Sequence, residues 1–79
     1  MNNYKDYYEY KIEIIDKESK KGKSTFYGVT YGEDYLEASR NVLHYYRGET
    51  ILSLTLELWD CNACIEMSQS VLEDLRRDG

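Results

Sequence analysis

Seventy-nine residues, 42% apolar and 32% charged, describe one globular domain (1–79) near the size at which a hydrophobic core only just offsets chain entropy. A formal charge of −5 argues against a general nucleic-acid binder, whose phosphate contacts need a basic face. No apolar run approaches a membrane span and no charged-then-apolar leader opens the chain, so a cytoplasmic protein without membrane contact is expected.

The residues alternate from Tyr8: Tyr8, Tyr10, Ile12 and Ile14 fall on one side and Glu9, Lys11 and Glu13 on the other, the period of a half-buried strand. Asp16 to Ser24 is polar and carries Gly22. Thr25 to Tyr31, rich in β-branched and aromatic residues, reads as the returning strand of a hairpin. Gly28 inside it marks a bulge or a close backbone approach. Asp34 and Glu37 have capping-box spacing, in which each side chain reaches the other's free N–H. Ala38, Val42 and Tyr45, with Leu43 and Tyr46 beside them, form a helical stripe, and Gly48 fits a C-terminal cap. In Ile51 to Trp59, residues Leu52, Leu54, Leu56 and Leu58 point one way and Ser53, Thr55 and Glu57 the other, as in a central strand. Ile65 and Met67 flank Glu66 in strand alternation, which makes Cys61 to Cys64 a hairpin turn; the alternative is a chain already helical from Cys64, with the cysteines at a helix N-terminus, and the short strand is preferred. A final helix then starts near Ser68 to Ser70, with Ser70 and Glu73 as a second capping box and Val71, Leu72 and Leu75 as its apolar face. The expected fold is α+β: three or four antiparallel strands, one main helix across one face and a short C-terminal helix, in the order ββαβ(β)α.

Nine tyrosines against one Phe and one Trp are the compositional anomaly. Tyr buries a ring and keeps a polar tip, which suits either a thin core whose rings reach solvent or a recognition surface. Both cysteines lie in Trp59-Asp60-Cys61-Asn62-Ala63-Cys64. In a cytosolic chain, thiols at this spacing are free, redox-active or metal-bound rather than a structural disulfide. The strand–CxxC–helix order resembles thioredoxin-like enzymes, but Asp60 separates Trp59 from Cys61 and the chain has no proline. Zinc needs four ligands, so Cys61 and Cys64 would form a metal site only across a symmetric dimer. The plain alternative is a pair of small residues in a turn. His44, the single histidine, has no nucleophile beside it in sequence and reads as a helix-surface residue. No general acid–base pair and no phosphate loop is recognisable, and no enzymatic activity is expected.

Lys17, Lys20, Lys21 and Lys23 concentrate basic charge in the hairpin tip, as a solvated loop or as a contact to an acidic partner. Glu33, Asp34, Glu37, Glu57, Asp60, Glu66, Glu73 and Asp74 occupy polar positions. Carboxylates on a rigid scaffold are able to imitate duplex phosphates and fill a basic nucleic-acid channel; the alternative is an ordinary solvated face.

Around Gly28-Val29-Thr30-Tyr31-Gly32-Glu33-Asp34-Tyr35-Leu36-Glu37-Ala38 the chain is similar to the strand-to-helix crossing of HicB-type antitoxins, where a Thr-x-Gly-x-Ser/Thr-like turn leads into a Glu-Ala helix. A hairpin, a Glu-Ala-containing helix ending in Tyr45-Tyr46-Arg47-Gly48, and the Leu-alternating run Ile51 to Leu58 together resemble short proteins of phages and mobile elements of Gram-positive bacteria. That resemblance implies a context in which many such proteins, anti-CRISPRs among them, bind and block host proteins in the host cytoplasm. The expected function is a non-catalytic, acidic protein-binding module that inhibits a host nucleic-acid-binding protein by occupying a basic groove, without touching nucleic acid itself. Its expected contact residues are Glu33, Asp34, Tyr35, Glu37, Glu57, Trp59, Asp60 and Glu66. The alternatives are a homodimeric structural protein, cofactor-free or bridged by zinc through Cys61 and Cys64, and an antitoxin-like partner of a toxin.

Overall fold

A computed structural model describes residues 6–58 and 64–78. The elements run β1 (Asp6–Ile15), β2 (Lys23–Gly32), α1 (Tyr35–Tyr45), β3 (Ile51–Leu58), β4 (Cys64–Ser68) and α2 (Gln69–Asp78). The strands form one antiparallel sheet in the order β2-β1-β3-β4, the α+β architecture with one main and one short terminal helix that the alternation implies.

Strand alternation sends every second residue to one face. Tyr8, Ile12 and Ile14 of β1, Ile51, Leu54 and Leu56 of β3 and Met67 of β4 are buried there. They meet Ala38, Val42 and Leu43 of α1 and Leu72 of α2 in one core. α1 lies over β2, and α2 over β3 and β4. Both helices thus cover the same side, and among the described residues no element covers the other. No helix is long and apolar enough to cross a membrane.

The hairpin between β1 and β2 is built on Asp16, whose carboxylate accepts the Glu18 N–H (3.0 Å) and the Ser24 hydroxyl (2.6 Å). These bonds hold its carboxyl below the usual carboxylate range, the Ser24 bond contributing most. Gly22 closes the turn at φ 75°, where a Cβ is disfavoured.

Several local expectations change. The β1–β3 register shifts between Glu13 and Ile14, so Ile51 rather than Leu52 faces Ile14, and Leu52 is only half-buried. Glu37 does not close a reciprocal box with Asp34. Asp34 accepts the Glu37 N–H at 2.9 Å, but Glu37 reaches one residue further back, to the Glu33 N–H at 2.7 Å. Gly48 is no cap. α1 ends at Tyr45 with Tyr46 as C-cap at φ −103°, and Arg76 of α2 donates to the carbonyls of Tyr46 (3.1 Å) and Glu49 (3.0 Å). The Val42 and His44 carbonyls near the helix end accept the Tyr46 and Arg47 N–H groups, and the guanidinium ties the C-cap carbonyl and one in the following turn to α2. Tyr45, expected in the buried stripe, is 76% exposed, and Val71 of α2 is also exposed. Ser70 lies inside α2, with its hydroxyl 3.3 Å from that of Ser68.

Candidate functional site

β2 is amphipathic in an unusual sense. Its register with β1 places Ser24, Phe26, Gly28, Thr30 and Gly32 on the covered side and Thr25, Tyr27, Val29 and Tyr31 on the uncovered side. The covered side holds small residues at its centre because two neighbours need the room. A Cβ at Gly28 would meet the Tyr10 ring at 2.7 Å, and one at Gly32 would meet the Ala38 backbone nitrogen at 2.5 Å. Thr30, also small, donates its hydroxyl to the Ala38 carbonyl at 3.1 Å. Gly28 thus marks a close approach, with no bulge in the register. Tyr10, so lodged, stacks edge-on with Tyr46, and their hydroxyls are 3.1 Å apart. Burial, this hydrogen bond and the nearby phenols of Tyr46 and Tyr45 push the Tyr10 phenol well above its usual range.

Apart from Phe26, which stacks on Tyr46, the uncovered side holds the large side chains of β2. Tyr27 is 74% exposed, Val29 54% and Tyr31 49%. Tyr7 of β1, directly opposite Tyr31, is also exposed, and their ring centroids are 6.3 Å apart. Nothing in the packing of the described core accounts for these residues.

Carboxylates border this aromatic patch. Val29 pairs with Glu9, Glu9 with Glu57, and Glu57 with Cys64, so one row across the sheet reads Val29–Glu9–Glu57–Cys64. The next row reads Tyr27–Lys11–Thr55–Glu66. Like charges directly opposite on neighbouring strands repel, so Glu9 and Glu57 are not placed for stability. Neither they nor Glu66 enters an ion pair among the described residues. Glu13 differs: the Ser53 hydroxyl at 3.1 Å and Lys23 Nζ at 3.5 Å satisfy it and lower its carboxyl below the ordinary range. A shallow depression of about 490 Å³ runs between the two rows, with Tyr27 and Val29 at one end and Glu57 and Cys64 at the other. A second, of about 580 Å³, lies between the edge of β2 and α1, lined by Tyr27, Tyr31, Tyr45 and Tyr46. The arrangement is an aromatic surface with an acidic flank.

The expected contact residues separate into two groups. Glu57 and Glu66 share the uncovered face. Glu33, Asp34, Tyr35 and Glu37 lie at the corner from β2 into α1, where the Asp34 and Glu37 carboxylates are engaged by backbone N–H groups; none of the four lines the depressions. Trp59, Asp60 and Cys61 lie outside the described residues. Cys64 is exposed and opens β4 on the uncovered face, whereas His44 is on α1 beyond the other face. Among the described residues no three His, Cys, Asp or Glu side chains are grouped as metal ligands. Residue-by-residue reading passed over Tyr7, Glu9, Tyr27, Val29 and Tyr31. The available signal was the run Tyr27-Gly28-Val29-Thr30-Tyr31-Gly32, in which small residues hold one parity and large ones the other. No protein-family model matches the chain, and comparison with curated proteins and with solved structures gives no match.

Proposed function

We propose that the protein is a non-catalytic binding module whose contact surface is the uncovered face of its sheet. The observation that carries this reading is the inverted β2: Tyr27, Val29 and Tyr31 point away from the core while Gly28, Thr30 and Gly32 point toward it. Exposed tyrosines anchor protein interfaces because they bury much area for little rotamer entropy. Glu9, Glu57 and Glu66 beside them select a partner with a basic surface. The partner class that fits is a nucleic-acid-binding protein, whose phosphate groove the carboxylates would occupy; a host factor blocked by a phage or mobile-element protein is one such case. The chain carries fifteen acidic against ten basic residues, in keeping with that polarity.

Capture on the immobilised protein from a lysate of its native cells, eluted in salt steps, tests the reading. A specific basic protein released as ionic strength shortens the Debye length from roughly 10 Å toward 3 Å is the expected result. A retained partner indifferent to salt would remove the acidic flank from the account.

A further inference from the structure

The helix layer carries a second feature of opposite charge. A groove of about 410 Å³ between α1 and α2 is lined by Arg40, His44, Arg47 and Arg76, with Leu43 and Leu75 providing its apolar part. Three of the chain's four arginines are there, and no Asp or Glu is among the lining residues of a chain that has fifteen. Arg40 and His44 are spaced i and i+4 and so share one side of α1, and Arg47 joins them from the turn just past the Tyr46 C-cap. Arg76 faces them from α2, held by its bonds to the Tyr46 and Glu49 carbonyls.

Neutralising the C-terminal end of α1 explains part of this set. Arg47 donates to the His44 carbonyl at 3.0 Å, and Arg76 satisfies two further carbonyls. It does not explain Arg40, which sits mid-helix with no hydrogen bond or ion pair among the described residues. Glu37, one turn before it, has its carboxylate on the Glu33 N–H instead. The fixed Arg76 guanidinium retains donors beyond the two it uses, since the group carries about five N–H bonds.

We infer that this groove binds a phosphate monoester borne on a small apolar body. Guanidinium forks match phosphate oxygens bidentately, and a tetrahedral dianion offers its terminal oxygens to several arginines in different directions at once, with more charge and more acceptor sites than a planar carboxylate. The groove's volume is that of a small-ligand pocket, and Leu43 and Leu75 supply surface for the apolar body. The site is independent of the uncovered sheet face, and either holds without the other.

Phenyl phosphate is the probe, titrated into the full chain while the Leu methyl and Arg side-chain NMR signals are followed. Saturable shifts at Leu43, Leu75 and the groove arginines with a Kd near or below about 1 mM are expected, and Arg40→Gln should weaken binding about tenfold. Arg40 is exposed and supports nothing in the fold, so that variant should melt like the parent. Absence of saturable shifts, equal binding by Arg40→Gln, or equal affinity for phenol would each overturn the site. Benzoate binding as tightly as phenyl phosphate would overturn the assignment to phosphate.

Discussion

Replacing Gly32 by Ala tests how tightly α1 is pressed onto β2. The added carbon would lie 2.5 Å from the Ala38 nitrogen and 3.0 Å from the Glu37 carbonyl carbon. Ordinary contact needs roughly 3.5–4 Å, so the helix must retreat by about 1 Å. The obstruction is helix backbone, so a side-chain rotation gives no relief. Overpacking of this kind costs about 1–3 kcal/mol. The retreat also stretches the Thr30 hydroxyl bond to the Ala38 carbonyl, now 3.1 Å, which contributes about 1 kcal/mol. A total near 3 kcal/mol is a large share of the ~4–12 kcal/mol typical for a chain of this size. In a guanidinium titration followed by circular dichroism, the midpoint should fall without a change in slope, and Tm should drop by roughly 12–24 °C. Gly48→Ala is the control: nothing lies within 4 Å of its added carbon, and it should be neutral or slightly stabilising. A Gly32→Ala protein within about 0.5 kcal/mol of the parent would refute the close packing of α1 on β2.

Tyr10→Phe removes the hydroxyl contact with Tyr46 and should cost about 1 kcal/mol near neutral pH. Because the folded state raises the Tyr10 pKa, its contribution is full below the unfolded value of about 10 and is lost as pH rises; Tyr10→Phe should therefore show a shallower alkaline decline in a pH series of melts. Asp16 shows the opposite sign: its carboxyl is held low in the fold, so its contribution is present above about pH 4 and lost as pH falls, and Asp16→Asn should flatten the acid limb of the same series. Glu57→Gln relieves the repulsion with Glu9 and should raise Tm while weakening partner binding, a combination that separates a functional carboxylate from a merely solvated one.

Much of the fold was legible because its signals are periodic. The Leu54–Leu56 and Ile12–Ile14 alternations mark the covered face, and Asp34 marks the start of α1. Tertiary substitutions were not legible. Arg76 caps α1 from a different helix across a separation of thirty residues, so no local pattern near Gly48 announces it. Tyr45 lies one helical turn from Val42 yet faces solvent because α1 is near its end there. The register shift between Glu13 and Ile14 displaces Leu52 for the same kind of reason, since pairing between distant strands sets it. The candidate surface was half legible. The tyrosine excess pointed to it, and Glu57 and Glu66 were assigned to it. Which tyrosines face outward depended on knowing that Tyr10 and α1 occupy the space beside Gly28 and Gly32.

Partners are engaged, on this proposal, by the uncovered face of the sheet. Partner binding is to be compared for the parent, for Tyr27→Ser with Val29→Ser, and for Arg77→Gln as an off-face control on exposed α2, each verified by melting. The face variant should lose binding by about a hundredfold, as two hot-spot truncations do, while Arg77→Gln keeps parental affinity. Parental affinity in the face variant, or a loss confined to Arg77→Gln, would refute the proposal.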